Sequence, residues 1–430
     1  MHLKLYRLLS TLAGPLIDLY LRYRKKIGKE DPKRFNERLG HASFPRPSGS
    51  LVWVHAASIG EVISVLPMIQ KIVKKYSDIN VLITTGTVTS AKMLENKMPE
   101  RTFHQYVPID RLITVNRFLD HWKPDVALWT ESELWPNMII ETNRRGCTMI
   151  QVNARISVNS FEKWARYSAM AENILSCFSL SLAQSEEDRE RLERLGAKNA
   201  KYIGNLKYDA PALPADPAET GKLLNMIGER HLWVATSTHS GEEEVILEVH
   251  KSLKERHSDL LTIIAPRHPE RGEDIAKMLR EFNMRVSLRS NGDSINDDTD
   301  FYIADTIGEL GIFYRLSGIA FIGGSLIEHG GQNPLEAARL ECALITGPYT
   351  DNFTKVYNDL EKEKAVIRIR NQESLVEKLD ELLSNHELQE EYANTSLDFI
   401  ENKVGVIDAY IENLSPHLKP LSKINSNENS

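Results

Sequence analysis

Two periods of hydrophobic and polar positions alternate along this chain. Short apolar runs at residues 51–55, 81–85, 125–129 and 148–152 read as strands buried on both faces. Stretches with helical spacing lie between them, as at 59–75 and 88–97. The rhythm pauses at 209–217, where Pro211, Pro214 and Pro217 mark a linker. It resumes with runs at 232–235, 261–264, 301–303 and 319–322, and helical spacing fills 373–413. Strand–helix alternation predicts an α/β architecture of parallel sheets with right-handed crossovers. A chain of 430 residues is too long for one ordinary core. Two doubly wound, Rossmann-like domains facing a central cleft are expected. The predicted boundaries are 1–34 for a separate amino-terminal segment, 35–210 and 218–385 for the two domains, 211–217 for the linker, 386–416 for carboxy-terminal helices and 417–430 for a disordered tail.

The first segment has its own pattern. On a helix over 5–23, Leu5, Leu8, Leu9, Leu12, Leu16, Leu19, Tyr20 and Tyr23 form one stripe, with Lys4, Arg7, Asp18 and Arg22 off it. Pro15 would kink this helix without abolishing it. Residues 1–34 hold nine Lys/Arg against three Asp/Glu, although the whole chain carries a net charge of −7. The longest charge-free stretch, 8–17, has ten residues, whereas a bilayer needs about 20. An amphipathic helix lying in a membrane interface is expected; an ordinary helix docked on its own domain is the alternative. No small-residue cleavage site follows, so secretion is disfavoured. The net negative charge argues against general nucleic-acid binding. Cys147, Cys177 and Cys342 are widely spaced, offer no zinc pattern and cannot all pair, which fits packed thiols in a reducing compartment.

In doubly wound sheets, ligands bind beyond the carboxyl ends of the strands, so the turns there are where chemistry is sought. Phe321-Ile322-Gly323-Gly324-Ser325 and the following His329-Gly330-Gly331-Gln332-Asn333-Pro334-Leu335-Glu336 form a strand, a glycine-rich turn and a helix start. Asn333 is placed as N-cap and Pro334 at the first helical position. Backbone N–H groups and a helix dipole converging there suit a phosphate. Glu336 could cap that helix or hold ribose hydroxyls. After the first strand comes Ala56-Ala57-Ser58-Ile59-Gly60-Glu61, where Glu61 is either a proton acceptor or the far half of a Ser-x-x-Glu capping box. The segment from Trp129 to Asn137 carries Glu131, Glu133 and two tryptophans; it is either a cleft wall or an aromatic surface patch. Lys207, in Gly204-Asn205-Leu206-Lys207, is either solvated or set to neutralise a leaving phosphate or a sugar carboxylate. Ser240 and Glu243, and Thr306 and Glu309, again have capping spacing. Arg267 follows a strong strand and can grip phosphate oxygens with two hydrogen bonds; His268 reads as a contact or packing residue. No Walker lysine, no helix-opening G-x-G-x-x-G and no zinc motif occur, which weakens ATP, NAD and metal chemistry.

Taken in order, these motifs resemble the bacterial 3-deoxy-D-manno-octulosonic acid (Kdo) transferase family. The segments concerned are His55-Ala56-Ala57-Ser58-Ile59-Gly60-Glu61, Glu131 to Pro136, Gly204-Asn205-Leu206-Lys207, Pro266-Arg267-His268-Pro269-Glu270-Arg271, Gly308-Glu309-Leu310-Gly311 and the His329 to Glu336 turn. The resemblance runs from about Glu37-Arg38-Leu39-Gly40 to about residue 415 without a clear departure. It implies a GT-B glycosyltransferase of lipopolysaccharide core biosynthesis, moving Kdo from CMP-Kdo to a lipid A precursor (lipid IVA) with inversion. It further implies a seat on the cytoplasmic side of the inner membrane, reached through the amino-terminal helix. By the same resemblance Glu61 is the proton acceptor, and Glu131 and Lys207 stabilise the transition state. CMP is held by Pro266, Arg267, His268, Gly308, Glu309, Leu310, Asn333, Pro334, Leu335 and Glu336. No cofactor and no metal are expected. The rival readings are another nucleotide-sugar enzyme of the same architecture, such as a UDP-sugar transferase or epimerase, and a non-catalytic membrane adaptor.

Overall fold

Among the described residues, fourteen strands, each followed or preceded by a helix, build two separate parallel sheets. The computed structural model describes residues 3–95 and 97–422; the part of the expected tail beyond 422 lies outside them. Contacts divide the chain into one unit of 1–210 with 404–430 and another of 211–403.

The first sheet holds β1 (Ser50–His55), β2 (Ile79–Thr85), β3 (Thr102–Tyr106), β4 (Val126–Thr130), β5 (Thr148–Ala154), β6 (Phe178–Ala183) and β7 (Ala200–Tyr202), ordered β3-β2-β1-β4-β5-β6-β7. Its order reverses between β1 and β4. The second sheet holds β8 (Leu232–Thr238), β9 (Leu261–Pro266), β10 (Val286–Leu288), β11 (Phe301–Ile303), β12 (Ile319–Ile322), β13 (Ala343–Thr346) and β14 (Ile367–Arg368), ordered β10-β11-β9-β8-β12-β13-β14. Here the order reverses between β8 and β12. At such reversals neighbouring crossovers go to opposite faces and leave a crevice at the carboxyl ends of the strands. Each unit therefore has one preferred ligand position, fixed by its own topology.

The central strands are apolar runs because both faces are covered. Trp53 on β1 and Trp129 on β4, two positions apart in register, are wholly buried with ring centroids 5.2 Å apart in a T-shaped contact. Trp129 thus belongs to the core, which removes it from any surface patch; Trp135 alone of the two is exposed.

The amino-terminal segment is two helices, α1 (Leu3–Leu12) and α2 (Gly14–Lys26), with Pro15 in the first turn of the second, where its missing N–H costs nothing. One face docks on the first unit. The Tyr6 hydroxyl donates to Asp110 at 2.8 Å, Arg7 pairs with Glu141, Arg111 reaches Asp18 at 3.0 Å, and Leu21 is buried. The other face is the apolar stripe seen in the sequence: Leu5, Leu8, Leu9, Leu12, Leu16, Leu19, Tyr20 and Tyr23 are all exposed. The docked and interfacial readings are therefore compatible, because they use different faces. No helix among the described residues is long and apolar enough to cross a membrane.

The carboxy-terminal helices do not form one block over 386–416. Helices Gln372–Ser384 and His386–Glu401 stay with the second unit, while Val406–Leu418 returns to the first. Tyr410, Ile411, Leu414 and Leu418 enter the core on one face of the first sheet. Order also continues past 416: a turn at Lys419–Leu421 follows, and Ser50 Oγ donates to Leu421 O at 2.8 Å.

Candidate active site

The first crevice is built around Glu61. Strand β1 ends at His55, and the helix α3 (Ile59–Lys75) starts with Ser58 as N-cap, whose Oγ accepts from Glu61 N at 3.3 Å. The Glu61 carboxylate turns back. Its Oε2 accepts from Ala57 N at 2.9 Å and Oε1 from Ser58 Oγ at 3.0 Å. Capping therefore occurs as the spacing suggested. It is not the whole role, because the Thr130 hydroxyl at the end of β4 also sits 2.6 Å from Oε2. Glu61 is only 7% exposed. Burial raises its pKa, three hydrogen bonds oppose that rise, and the charge of Glu131 adds to it. A carboxylate with raised proton affinity, fixed at a sheet's switch point, is suited to accept a proton.

Glu131 follows Thr130 in the left-handed region, with φ 47°. That conformation is uncommon for a residue with a side chain. Its Oε1 lies 3.2 Å from Lys207 Nζ. Lys207 stands on a single turn, Leu206–Asp209, capped by Asn205, whose Oδ1 accepts from Lys207 N at 3.0 Å. The lysine is thus paired with a carboxylate, and Glu61, Glu131 and Lys207 gather at one end of one sheet. Glu133 does not join them; its carboxylate takes the Trp135 indole N–H at 2.7 Å.

In the second unit a cavity of about 260 Å³ opens at the ends of β8, β9 and β11. Pro266, Arg267, Gly308 and Leu310 line it, and Ala265, Ile307 and Phe313 add apolar wall that suits a flat base. Glu309 is not in the lining. Its carboxylate is held by Arg289 at 2.6 and 3.0 Å, which lowers its pKa, and Thr306 also donates to it. Its side chain therefore braces the loop. His268 is exposed beside Glu270. Glu336 is half-buried; burial raises its pKa, while the Asn333 side chain, donating at 3.3 Å, and the charge of Arg267 lower it.

The glycine-rich turn departs from expectation in two ways. The N–H groups of Gly324, Ser325 and Leu326 do not point outward: Glu242 accepts all three at 2.7, 3.0 and 3.0 Å, and His239 N at 2.9 Å. A wholly buried protein carboxylate fills the anion nest that a phosphate was expected to use. Asn333 accepts from Leu335 N at 3.2 Å, but the N-cap position falls on Pro334, one residue later than expected, and the helix is one turn, Leu335–Ala338, so little dipole accumulates. The Ser240–Glu243 cap is not made either. Gly241 N donates to Glu244 at 3.1 Å, and Glu243 binds Arg271 through two bonds of 2.7 and 3.0 Å.

Residues 33–210 match the model of the family described as 3-deoxy-D-manno-octulosonic-acid transferase (kdotransferase), and 237–398 match glycosyl transferases group 1. The 3-deoxy-D-manno-octulosonic acid transferase of Rickettsia felis is 39% identical over 88% of this chain and 81% of its own length. That of Rickettsia bellii is 35% identical over 95% and 98%. The chain belongs to the 3-deoxy-D-manno-octulosonic acid transferase family. It is a glycosyltransferase of the Kdo-transferring kind. The fold has wider company: UDP-GlcNAc 2-epimerase from Neisseria meningitidis, 15% identical, aligns over 85% of this chain and all of its own, with a TM-score of 0.58.

Two further residues support the sites of this Kdo transferase without any local sequence signal. Arg289 joins Glu309 to Glu219, the latter at 3.0 Å, and so ties the 305–310 loop to a helix start. Tyr410, from the returning helix, accepts from Asn153 N at 3.1 Å and lies 3.1 and 3.2 Å from the carbonyls of Gly204 and Leu182. Asn153 Oδ1 in turn accepts from Leu206 N at 3.0 Å, beside Lys207. Tyr410→Phe is expected to destabilise the first unit by about 1–3 kcal/mol, because buried polar groups lose their partner. Calorimetry should read this as a fall of about 2–4 °C in Tm for each kcal/mol; an unchanged Tm would mean the hydroxyl is dispensable.

Proposed function

We propose that this enzyme moves Kdo from CMP-Kdo to a lipid A precursor, lipid IVA, in one inverting displacement. The observation that carries the reading is Glu61, a buried carboxylate at the switch point of the first sheet, with the Glu131–Lys207 pair beside it. Glu61 takes the proton of the acceptor hydroxyl as its oxygen attacks the anomeric carbon. The bond from that carbon to the phosphate oxygen breaks, and CMP leaves with the electron pair. Lys207 supplies positive charge toward the developing anion, with Glu131 holding it in place. In the second unit the apolar cavity takes the base, Glu336 the ribose hydroxyls and Arg267 the phosphate.

The test is mass spectrometry of the product from purified enzyme, CMP-Kdo and bisphosphorylated lipid A precursor. A product heavier by whole Kdo units supports the reading; an unchanged acceptor with unconsumed donor overturns it. Competition by CMP but not by UDP separates this donor from the UDP-sugars of the fold's wider relatives.

The acceptor is a lipid, and the exposed stripe of α1 and α2 supports a seat in the interface on the cytoplasmic side of the inner membrane. Arg7, Arg24 and Arg34 are engaged by Glu141, Glu30 and Glu37, so they are not the headgroup contacts. Sedimentation with anionic vesicles should be strong in the parent and lost in a Leu12→Asp, Leu16→Asp variant. Equal partition of the two would reject the interfacial helix.

A further inference from the structure

Three histidines meet at the second switch point. His239 follows β8, His268 follows β9, and His329 lies in the turn after β12. The His239 and His329 rings are 3.8 Å apart at 36°, and those of His239 and His268 are 6.0 Å apart. Gln332 Nε2 lies 3.1 Å from His239 Nε2. An amide nitrogen only donates, so His239 Nε2 is the acceptor and the ring's proton is on Nδ1. Burial, His329, His268, Arg267 and Arg271 push the His239 pKa down to about 4, so it meets a ligand as a neutral N–H donor. Space is tight: a Cβ on Gly324 would come within 3.3 Å of both Gln332 Nε2 and His239 Cδ2.

The carboxylates around this cluster are already engaged. Glu242 is enclosed by four backbone N–H groups, and Glu243 is gripped by Arg271. Glu270, 3.6 Å from His268, is exposed to water. Imidazole rings with N–H groups to donate thus crowd one spot beside Arg267 whose nearby acids are turned elsewhere or solvated, an arrangement that favours an incoming anion.

We infer that His239, His268 and His329 form the seat for the carboxylate of the sugar-acid donor. This rests on the donor proposed above. This octulosonic acid carries its carboxylate directly on the anomeric carbon, which also bears the phosphate in the donor, so the donor brings two anions close together. Arg267 is assigned the first, and the histidine cluster takes the second. Neutral sugars lack that group, so the cluster would select sugar acids.

The experiment compares CMP-Kdo as substrate with CMP as competitive inhibitor in His329→Ala and His239→Ala variants. Losing one charge-assisted hydrogen bond should raise the KM for CMP-Kdo about tenfold while the inhibition constant of CMP stays within about twofold. A parallel rise in both would place the phosphate, and not the carboxylate, on the histidines and overturn the inference. No change in either would overturn it as well. His329 is exposed, so its variant tests the point even where the His239 variant does not fold. Failure of CMP to inhibit the parent enzyme would instead strike at the donor assignment itself.

Discussion

Glu61→Gln is expected to fold normally and to lose about 10²–10⁴-fold in kcat, the usual cost of removing a general base. Glutamine can keep every contact of the carboxylate: its carbonyl oxygen accepts from Ala57 N and the Thr130 hydroxyl, and its amide donates to Ser58 Oγ. What it lacks is the ability to take a proton. Stability should separate in a predictable direction. Burial holds Glu61 above the ordinary carboxylate range, so the folded protein binds that proton more tightly than the unfolded chain. Its contribution to stability is therefore lost as pH rises from the ordinary carboxylate range through the raised value. The Gln variant has no such loss, so its Tm at neutral pH should equal or exceed the parent's, and the gap should close in mild acid. Near-parent turnover would reject Glu61 as the base. A large fall in Tm would show that capping is its main task.

Lys207→Met should cost about 10²–10³-fold in kcat, the range for losing one preorganised transition-state donor. It also strands Glu131, whose Oε1 has Lys207 Nζ at 3.2 Å. Glu131→Gln separates the two effects. The Glu131 charge raises the Glu61 pKa, so its removal makes Glu61 easier to ionise. The acid limb of kcat/KM should then move to lower pH, although kcat falls. The double variant should lose less than the product of the single losses, because both act through one ion pair. Full activity in Lys207→Met, or an acid limb unmoved in Glu131→Gln, would dissolve the proposed unit.

How much of this was legible depended on whether the relevant forces were local. Strands β1, β2, β4, β5, β8, β9, β11 and β12 announce themselves as apolar runs. Strand β3 does not, because its buried positions include His104 and Gln105, paired to Thr85 at 2.9 Å and to the Trp122 indole at 2.7 Å. The buried Ser181 breaks up β6 in the same way, beside the exposed Ser179, and β7, β10 and β14 are two or three residues long. Glu61 could be found because helix capping and catalysis both place an acid just after a strand. Glu242 could not, since three of its four N–H partners lie 82 to 84 positions away. The amino-terminal stripe was read correctly as apolar, but periodicity does not say which face packs. The docked face uses Tyr6, Arg7 and Leu21, a combination no hydrophobicity pattern would select.

The return of Val406–Leu418 to the first sheet reverses the usual order in which a two-part chain matures during synthesis. The second unit is continuous in sequence and has all its strands once residue 368 has emerged from the ribosome. The first unit must wait for Tyr410, Ile411, Leu414 and Leu418, the last pieces of its own interior to be made. Until then the proposed catalytic base and its lysine partner sit in an unfinished half, so a prematurely terminated polypeptide carries every residue assigned to the chemistry yet lacks the helix that braces them.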